Sequence, residues 1–436
     1  MNAPAWNPAI EFIEREALER LQLINLRKTV TWALRTPFYR RRLAETGLNH
    51  PEDIVSLRDV RNIPYTTKDD LREAYPEGLL AVDREQVVRL HTSSGTTGTP
   101  TVIYHTQHDI DGWTELVARC AVAAGATRHD IFQNMTSYGL FTGGLGLHYG
   151  AERIGMLVIP ASSGNTRRQI DLMRNFRTTI VHATPSYLLH LQVALASEGV
   201  DTTKLALQKA FIGAEPHSEA TRGKIENLFG IQAYNSYGLS EMNGPGVAFE
   251  CLHQTGLHLW EDAYILEIID PQTLQPLAEG ETGEIVLTTL QRQATPLLRY
   301  RTRDLSHLAG GYCPCGRTHR RLARLQGRSD DLLIINGVNI FPSQIESALM
   351  KIPGVGVNYM VQIEKRGSLD RLLIKAEGDA MLFASDPHTL DKLRERIGEL
   401  LRSAILVKPA VELHPPSSLP VSEGKAKRVV DLRPTF

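Results

Sequence analysis

Residues 90–106, LHTSSGTTGTPTVIYHT, carry ten consecutive positions (92–101) drawn only from Ser, Thr, Gly and Pro. Strand-like runs flank them, at 87–91 on one side and 101–104 on the other. Glycines let backbone N–H groups aim at one point, and hydroxyls add donors, so such a strip can hold phosphate oxygens without a fixed charge. It is no Walker loop, because Thr99 and Pro100, not Lys and Ser/Thr, follow Gly98. Composition alone also fits a flexible linker, so the rest of the chain has to decide.

Length and composition narrow the choice. The 436 residues predict two or more domains, and 42% hydrophobic with 22% charged residues predicts a full core. A net charge of −1 argues against a nucleic-acid partner. No run of about 18 apolar residues predicts a membrane span, and the N-terminus shows no secretory pattern. Four cysteines are too few for a disulfide framework. A cytoplasmic protein is expected.

The pattern along the chain has three textures. Residues 9–35 read as one helix on the spacing of Ile10, Ile13, Leu18, Leu21, Ile24 and Leu26, and short helices broken by Pro64 and Pro76 follow. From 110 to 213, helical stretches alternate with apolar runs at 155–160, 179–183 and 209–213, predicting layered α/β structure with buried strands. Strands at 265–269 and 284–289 predict a small β unit. Beyond about residue 327, a hairpin turning at Arg366-Gly367 and an amphipathic helix through Leu390, Leu393, Ile397, Leu400 and Leu401 predict a compact α+β tail. The boundaries expected are 1–328 for the large domain and 329–436 for the small one.

Four further stretches carry chemistry-bearing residues. In NSYGLSE (235–241), Tyr237 beside Gly238 offers a flat face to a base, and Glu241 an oxygen ligand for magnesium. In YRTRD (300–304), Asp304 can take both hydroxyls of a ribose. GRSDDLLIINGVNIFPSQIE (327–346) sits at the change of texture, with Arg328, Asp330 and Gly337 as the marks of a hinge. SEGKAKR (422–428) puts Lys425 on a glycine-containing loop, from which an ammonium can swing onto a phosphate. Each alone also fits a plain turn, surface ion pairs, a linker or a solvated terminus.

Taken together, the order and spacing of the five resemble the adenylate-forming superfamily, which includes the acyl-CoA synthetases. YGLFTGGLGLHYGAE (138–152), GAEPHS (213–218), YGLSEMNGPGV (237–247) and the 327–346 stretch bring it closer to the phenylacetate–CoA ligases. The resemblance covers nearly the whole chain. It implies an α/β fold, with a large N-terminal adenylate-forming domain and a mobile α+β C-terminal domain. It also implies an ATP-dependent acid–thiol ligase. An aryl carboxylic acid, phenylacetate above all, would be joined to AMP with loss of pyrophosphate and then passed to CoA, with Mg2+ assisting. A homodimer is expected on the same ground.

By position, the resemblance implies that Ser93, Ser94, Gly95, Thr96, Thr97 and Gly98 enclose the leaving phosphates. Thr97 and Glu241 would place magnesium and the α-phosphate. Gly213, Ala214, Glu215 and Pro216 would border the adenine, with Tyr237 stacked on it and Gly238 beside. Asp304 would bind the ribose, with Arg328 nearby. Lys425 matches the adenylation lysine, with Lys427 as its rival, and Asp330 matches the hinge. The tail would then turn to offer the face near Gly337 to the CoA arm. Tyr138, Gly139, Phe141, Thr142, Gly143, Gly144 and Ala214 would wall the acyl pocket, although Gly143-Gly144 also fits close helix packing. Thr136 and Ser137 would suit a hydroxylated or smaller acid. Two positions depart from the superfamily pattern: Thr99 where Lys is common, and Arg303 where Gly is common.

Cys251, His258, Cys313 and Cys315 form a donor set suited to tetrahedral structural zinc, with His253 as an alternative to His258. Cys120 reads as core, and His105 and His108 as ordinary polar residues. Competing readings are a ligase for an indolyl, benzoate-like or short hydroxy acid, an enzyme loading a carrier protein, and an inactive nucleotide sensor. The retention of Glu241, Asp304 and Lys425 speaks against the sensor. A hydrolase elbow fails at Met242.

Overall fold

In the computed structural model, residues 3–93, 99–140, 142–366, 369–383, 387–420 and 428–433 are described. The chain forms two compact units: 1–162 with 179–182 and 234–325, and 163–178 with 183–233 and 326–436.

In the first unit, the strands Arg89–Thr92 and Val102–His105 pair antiparallel from Arg89↔His105 to Thr92↔Val102, so the glycine-rich strip springs from the end of a hairpin. The strands Leu157–Ile159 and Ile180–Ala183 flank Ile131–Asn134 in parallel. Ile180–Ala183 is buried throughout, as its apolar run predicted, whereas Leu157–Ile159 is the sheet's edge strand and leaves Leu157 exposed, contrary to the expectation of a buried strand. The antiparallel run Gln232–Leu239, Gly244–Glu250, Leu257–Leu259, Arg321–Leu322 and Leu308–Ala309 follows. A second antiparallel sheet joins Tyr264–Ile269, Gly283–Thr289 and Tyr300–Ser306, the β unit expected from the sequence.

Two helices of this unit, Gln107–Ala123 and Thr142–Ile154, meet along a glycine face. A Cβ built on Gly146 would lie 2.3 Å from the Trp113 ring, and one on Gly150 2.3 Å from Val117 Cγ1. Residues four apart share a helix face, so the pairs 146/150 and 113/117 form one seam. Trp113 Nε1 donates to Pro245 O at 2.7 Å and ties the seam to the sheet.

The expected helix over 9–35 is two helices, Pro8–Glu11 and Arg15–Ala33. The carbonyls that would continue the first turn are bonded elsewhere. Ile10 O accepts from His319 Nε2 at 2.9 Å, Glu11 O from Thr318 N at 3.3 Å and Ile13 O from Thr318 Oγ1 at 2.7 Å. Tertiary hydrogen bonds here override helical periodicity.

The second unit contains the helices Thr166–Asn175, Pro185–Ser197 and Glu219–Phe229 and the strand Lys209–Gly213. Its C-terminal part is a four-stranded sheet in the order Ala410–His414, Leu369–Gly378, Val355–Arg366, Val429–Asp431. Ile345, Leu349, Val361, Ile374, Ile397 and Leu401 belong to its core. Of the helix face expected from sequence, Leu393, Ile397 and Leu401 are buried while Leu400 is exposed. Glu346, on the helix Pro342–Leu349, accepts from Ser218 N at 3.1 Å and from the Thr221 hydroxyl. Ser218 is the N-cap of Glu219–Phe229, its Oγ accepting from Thr221 N at 3.1 Å, and Glu346 braces that cap from outside. Burial pushes the Glu346 carboxyl up from the ordinary range.

A Gly150→Leu substitution is expected to force the helix seam apart and lower stability by about 1–3 kcal/mol. An unchanged melting temperature would show that the seam has slack.

Candidate nucleotide site and metal centre

The sheet edge carrying Asp304 is built by a bulge. Glu284 pairs with Leu305 and Val286 with Arg301, so three residues on one strand face one on its neighbour. Arg303 takes a φ of 68°, in the left-handed region that glycine adopts without cost. The backbone therefore explains why glycine is common at this position, and the chain accepts arginine there. Thr302 Oγ1 donates to Ile285 O at 2.9 Å and accepts from Asp304 N at 3.1 Å, which holds the distortion in place. Bulges re-aim side chains, and the outcome here is that Tyr237 Oη donates to Asp304 Oδ2 at 2.8 Å. Tyr237 and Asp304, read from motifs 67 residues apart, are thus joined directly.

Tyr237 lies on the strand that ends at Leu239, and the short turn Ser240–Met242 then presents Glu241. Gly238 is required by close approach, since an added Cβ would sit 1.8 Å from Gly244 O. Glu241 is 5% exposed. Its Oε1 lies 3.5 Å from Thr101 Oγ1 and 3.5 Å from Lys68 Nζ. Thr101 Oγ1 donates in turn to Ser93 Oγ at 2.7 Å. Thr101, at one described end of the glycine-rich strip, thus adjoins Glu241, and Ser93, at the other, is linked to it through Thr101; residues 94–98, Thr97 among them, lie outside the described residues.

Lys68 was not singled out from sequence. It is the first residue of the helix Lys68–Glu73, after the Thr67 N-cap, and a cation at that position is easily read as solvated. Arg292 was missed too. It is buried, and its Nε donates to Asn243 Oδ1 at 2.6 Å, bracing the turn that follows Glu241.

The expected acyl-pocket residues separate into two kinds. Gly144 is a packing glycine, since an added Cβ would meet Ser137 O at 2.5 Å. Among the described residues, Gly143 has Thr136 Oγ1 at 3.8 Å as the nearest atom to an added Cβ, and Gly139 has nothing within 4 Å. Tyr138 Oη accepts from Asn134 Nδ2 at 3.1 Å. Asn134 Oδ1 accepts from Thr136 Oγ1 at 2.8 Å and from His182 Nδ1 at 3.1 Å. Asn134 and His182 are paired residues toward the carboxyl ends of adjacent parallel strands, where open α/β sheets bind ligands. Burial pulls His182 down to about 3. Phe141 lies outside the described residues.

The second unit holds the remaining candidates. Gly213 ends its strand, and Ala214 takes a φ of 67°. Glu215 Oε1 accepts from Ser186 N at 2.6 Å, at the start of Pro185–Ser197, and Pro216 follows. Arg328 pairs bidentately with Asp330, at 2.8 and 2.9 Å, so the expected ribose cation and hinge carboxylate hold each other. Gly337 has a φ of 82° and open space around it. Lys425 and Lys427 lie outside the described residues.

Cys251, His258, Cys313 and Cys315 are buried, with donor atoms all within 4.8 Å of one another. Cys251 Sγ is 3.5 Å from Cys313 Sγ, and Cys315 Sγ is 3.3 Å from His258 Nε2. Tetrahedral zinc, with Zn–S of about 2.3 Å and Zn–N of about 2.0 Å, sets its donors roughly 3.5–3.8 Å apart. A disulfide would need about 2.05 Å. The register explains the convergence: His258 pairs with Phe249 on one side and Arg321 on the other, and the cysteines flank those strands. Donation from Cys251, then His258, pulls the Cys315 thiol down to about 2, against the burial penalty. His253 is exposed and outside the cluster. Cys120 is core, accepting from Trp260 Nε1 at 3.2 Å.

Residues 30–291 match the model of AMP-binding enzymes, and 337–433 that of the AMP-binding enzyme C-terminal domain. The chain is 45% identical to the phenylacetate-coenzyme A ligase of Thermus thermophilus, covering 98% of this chain and 99% of the relative. It is 44% identical to the Escherichia coli phenylacetate-coenzyme A ligase, over 98% of each. Among solved structures, a 2-hydroxyisobutyryl-CoA ligase in the postadenylation state superposes with a TM-score of 0.92 at 27% identity, over 98% of this chain and 92% of that one.

The buried histidine gives the candidate site an acid dependence. Unfolded, His182 takes up a proton near its ordinary 6.5; folded, it resists down to about 3. The unfolded chain therefore binds more protons in that window, and stability present above it is lost as pH falls through it. Between pH 6.5 and 5 the expected loss is about 2 kcal/mol. His182→Asn is expected to melt with a shallower acid dependence than the parent, and equal slopes would remove His182 as the cause.

Proposed function

The chain belongs to the AMP-binding enzymes, and on that premise we propose that it activates phenylacetate with ATP and transfers the acyl group to CoA. The observation that carries this reading is the Tyr237–Asp304 hydrogen bond. It sets an aromatic face and a carboxylate side by side, as a nucleoside's base and ribose are.

In the first half-reaction, a substrate carboxylate oxygen attacks the α-phosphorus of ATP; the new O–P bond replaces the one to pyrophosphate, which leaves, and the acyl-adenylate remains. Two anions must meet, so the barrier falls only where charge is compensated by preorganised donors. In this reading the N–H groups and hydroxyls of 93–98 hold the leaving phosphates, Lys68 adds a cation at their edge, and Lys425 reaches the reacting phosphate from the tail. Glu241 and Thr101 are oxygen donors fit for a hard cation, and they would hold Mg2+. Bound there, the ion neutralises phosphate charge. Gly213 to Pro216 and Tyr237 enclose the adenine, and Asp304 takes the ribose hydroxyls. The 329–436 segment, with Asp330 as hinge, then turns so that the CoA thiol displaces AMP and a thioester forms.

A short hydroxy acid is the second reading, favoured by the polar Asn134–Thr136–His182 cluster and by the likeness to the 2-hydroxyisobutyryl-CoA ligase. Zinc at the four-residue cluster has a structural role in this proposal. The same loop holds the N-terminal segment: Arg317 Nη2 pairs with Glu11 at 2.7 Å, and both side chains are fully buried. Four buried, unbridged cysteines fit a cytoplasmic enzyme, and a homodimer belongs to the reading through the family resemblance alone.

Acid-dependent pyrophosphate exchange tests the activity. Phenylacetate is expected to give the highest kcat/KM in a panel with indoleacetate, benzoate and 2-hydroxyisobutyrate; exchange with none of them would end the ligase reading. Lys425→Ala is expected to slow exchange about a hundredfold or more while sparing transfer from supplied phenylacetyl-adenylate. Equal losses would count against the turning tail. Metal analysis of the purified chain is expected to find one zinc per chain, and Cys313→Ser to lose it and melt earlier. A metal-free, fully stable protein would contradict the zinc assignment.

A further inference from the structure

The strands Leu333–Ile335 and Val338–Ile340 pair with Ile335 opposite Val338, leaving Asn336 and Gly337 as a two-residue turn. Both turn residues have positive φ, 50° and 82°, the signature of a tight type I′ hairpin. Among the described residues, no atom outside its own neighbours lies within 4 Å of a Cβ built on Gly337. A hairpin of two three-residue strands is marginal by itself. This one is gripped from outside. Asn336 Nδ2 donates to Asp370 O at 2.8 Å, and Asp370 N donates to Asn336 Oδ1 at 2.8 Å. One side chain thereby imitates a rung of β ladder against the start of strand Leu369–Gly378. The Asp370 carboxylate accepts from Asn336 N at 3.4 Å and pairs with Arg433 Nη1 at 3.1 Å and Lys365 Nζ at 3.3 Å. Arg433 Nη1 also donates to Ile334 O at 2.8 Å, on the hairpin's first strand. Two sides of the turn are thus fixed to the small sheet, and its glycine is left clear.

We infer that Asn336 is a positioning residue for the thioester-forming half-reaction, its side chain clamping the turn so that the open face of Gly337 meets the CoA arm in one geometry. This rests on the proposed role of Gly337 in receiving that arm. The clamp touches no reacting atom. It acts by fixing a surface along which a flexible thiol chain must lie before sulfur can reach the acyl carbonyl, a step sensitive to small misplacement. Asn is suited twice over, tolerating the left-handed backbone and supplying both donor and acceptor.

Two substitutions and two assays separate the possibilities. Asn336→Gly keeps the backbone conformation and deletes the clamp. Gly337→Asn tolerates the same φ and adds a side chain to the open face. Pyrophosphate exchange reports the first half-reaction and the fold; thioester formation from supplied phenylacetyl-adenylate and CoA reports the second. For Asn336→Gly, exchange is expected within about twofold of the parent, and kcat/KM for CoA in the second assay about tenfold lower, the effect of losing two hydrogen bonds. Gly337→Asn is expected to lower the second assay at least as far. A second half-reaction unchanged in Gly337→Asn would overturn the role of Gly337 and the inference with it. Loss in Gly337→Asn alone would leave that role standing and overturn the clamp. Equal losses in both assays for Asn336→Gly would reduce it to a general structural contact.

Discussion

A single hydrogen bond, from the Tyr237 hydroxyl to the Asp304 carboxylate, organises the first unit's candidate site. It exists because two backbones are distorted to permit it. The Asp304 strand bulges through a left-handed Arg303, and the Tyr237 strand passes so near Gly244 that position 238 has no room for a side chain. Neither distortion helps an isolated sheet. Strain of this kind, about 1–3 kcal/mol per residue, persists where surrounding structure over-determines it and where a ligand uses the result. From this pair the strand runs on to Glu241, and from Glu241 the side-chain contacts lead to Thr101, Ser93 and Lys68.

Much of this was legible in the residues. The hairpin flanking the glycine-rich strip, the buried strand Ile180–Ala183, the small β unit and the C-terminal helix follow from periodicity, whereas the apolar run at 157–159 reads as buried and lies at the sheet's edge. Tyr237, Glu241, Asp304 and the set Cys251, His258, Cys313 and Cys315 stand out by residue type, and the fold brings the last four within 4.8 Å of one another. What could not be read was partnership across sequence distance. Lys68 looks like any exposed lysine at a helix start until the fold sets it 3.5 Å from Glu241. Arg292 looks like a surface cation until it is buried against Asn243. The helix predicted over 9–35 breaks because residues 318 and 319 bind its carbonyls, which no local pattern encodes. Gly143 and Gly144 are adjacent and chemically identical, yet one permits close packing and the other leaves a space.

The cysteine cluster and the N-terminal segment belong to one structural idea. Strand register brings four donors together, and the loop bearing two of them extends Arg317, Thr318 and His319 to hold residues 4–13. A short loop without its own hydrophobic core needs an internal tie to keep such an array in order. Under the proposed zinc assignment, thiolates and an imidazole around one ion would supply that tie without a disulfide.

Glu346 gives the tail a stake in a helix that is not its own. While it sits against Ser218 and Thr221, the positive end of Glu219–Phe229 is answered by a carboxylate delivered from about 125 residues downstream. Any rearrangement that carries the tail away exchanges that carboxylate for water. A negative group beside a helix N-terminus contributes about 0.3–1 kcal/mol, close to thermal energy. A contact of that size can name a resting position without becoming a trap, and the proposed turn of 329–436 would need such a shallow berth.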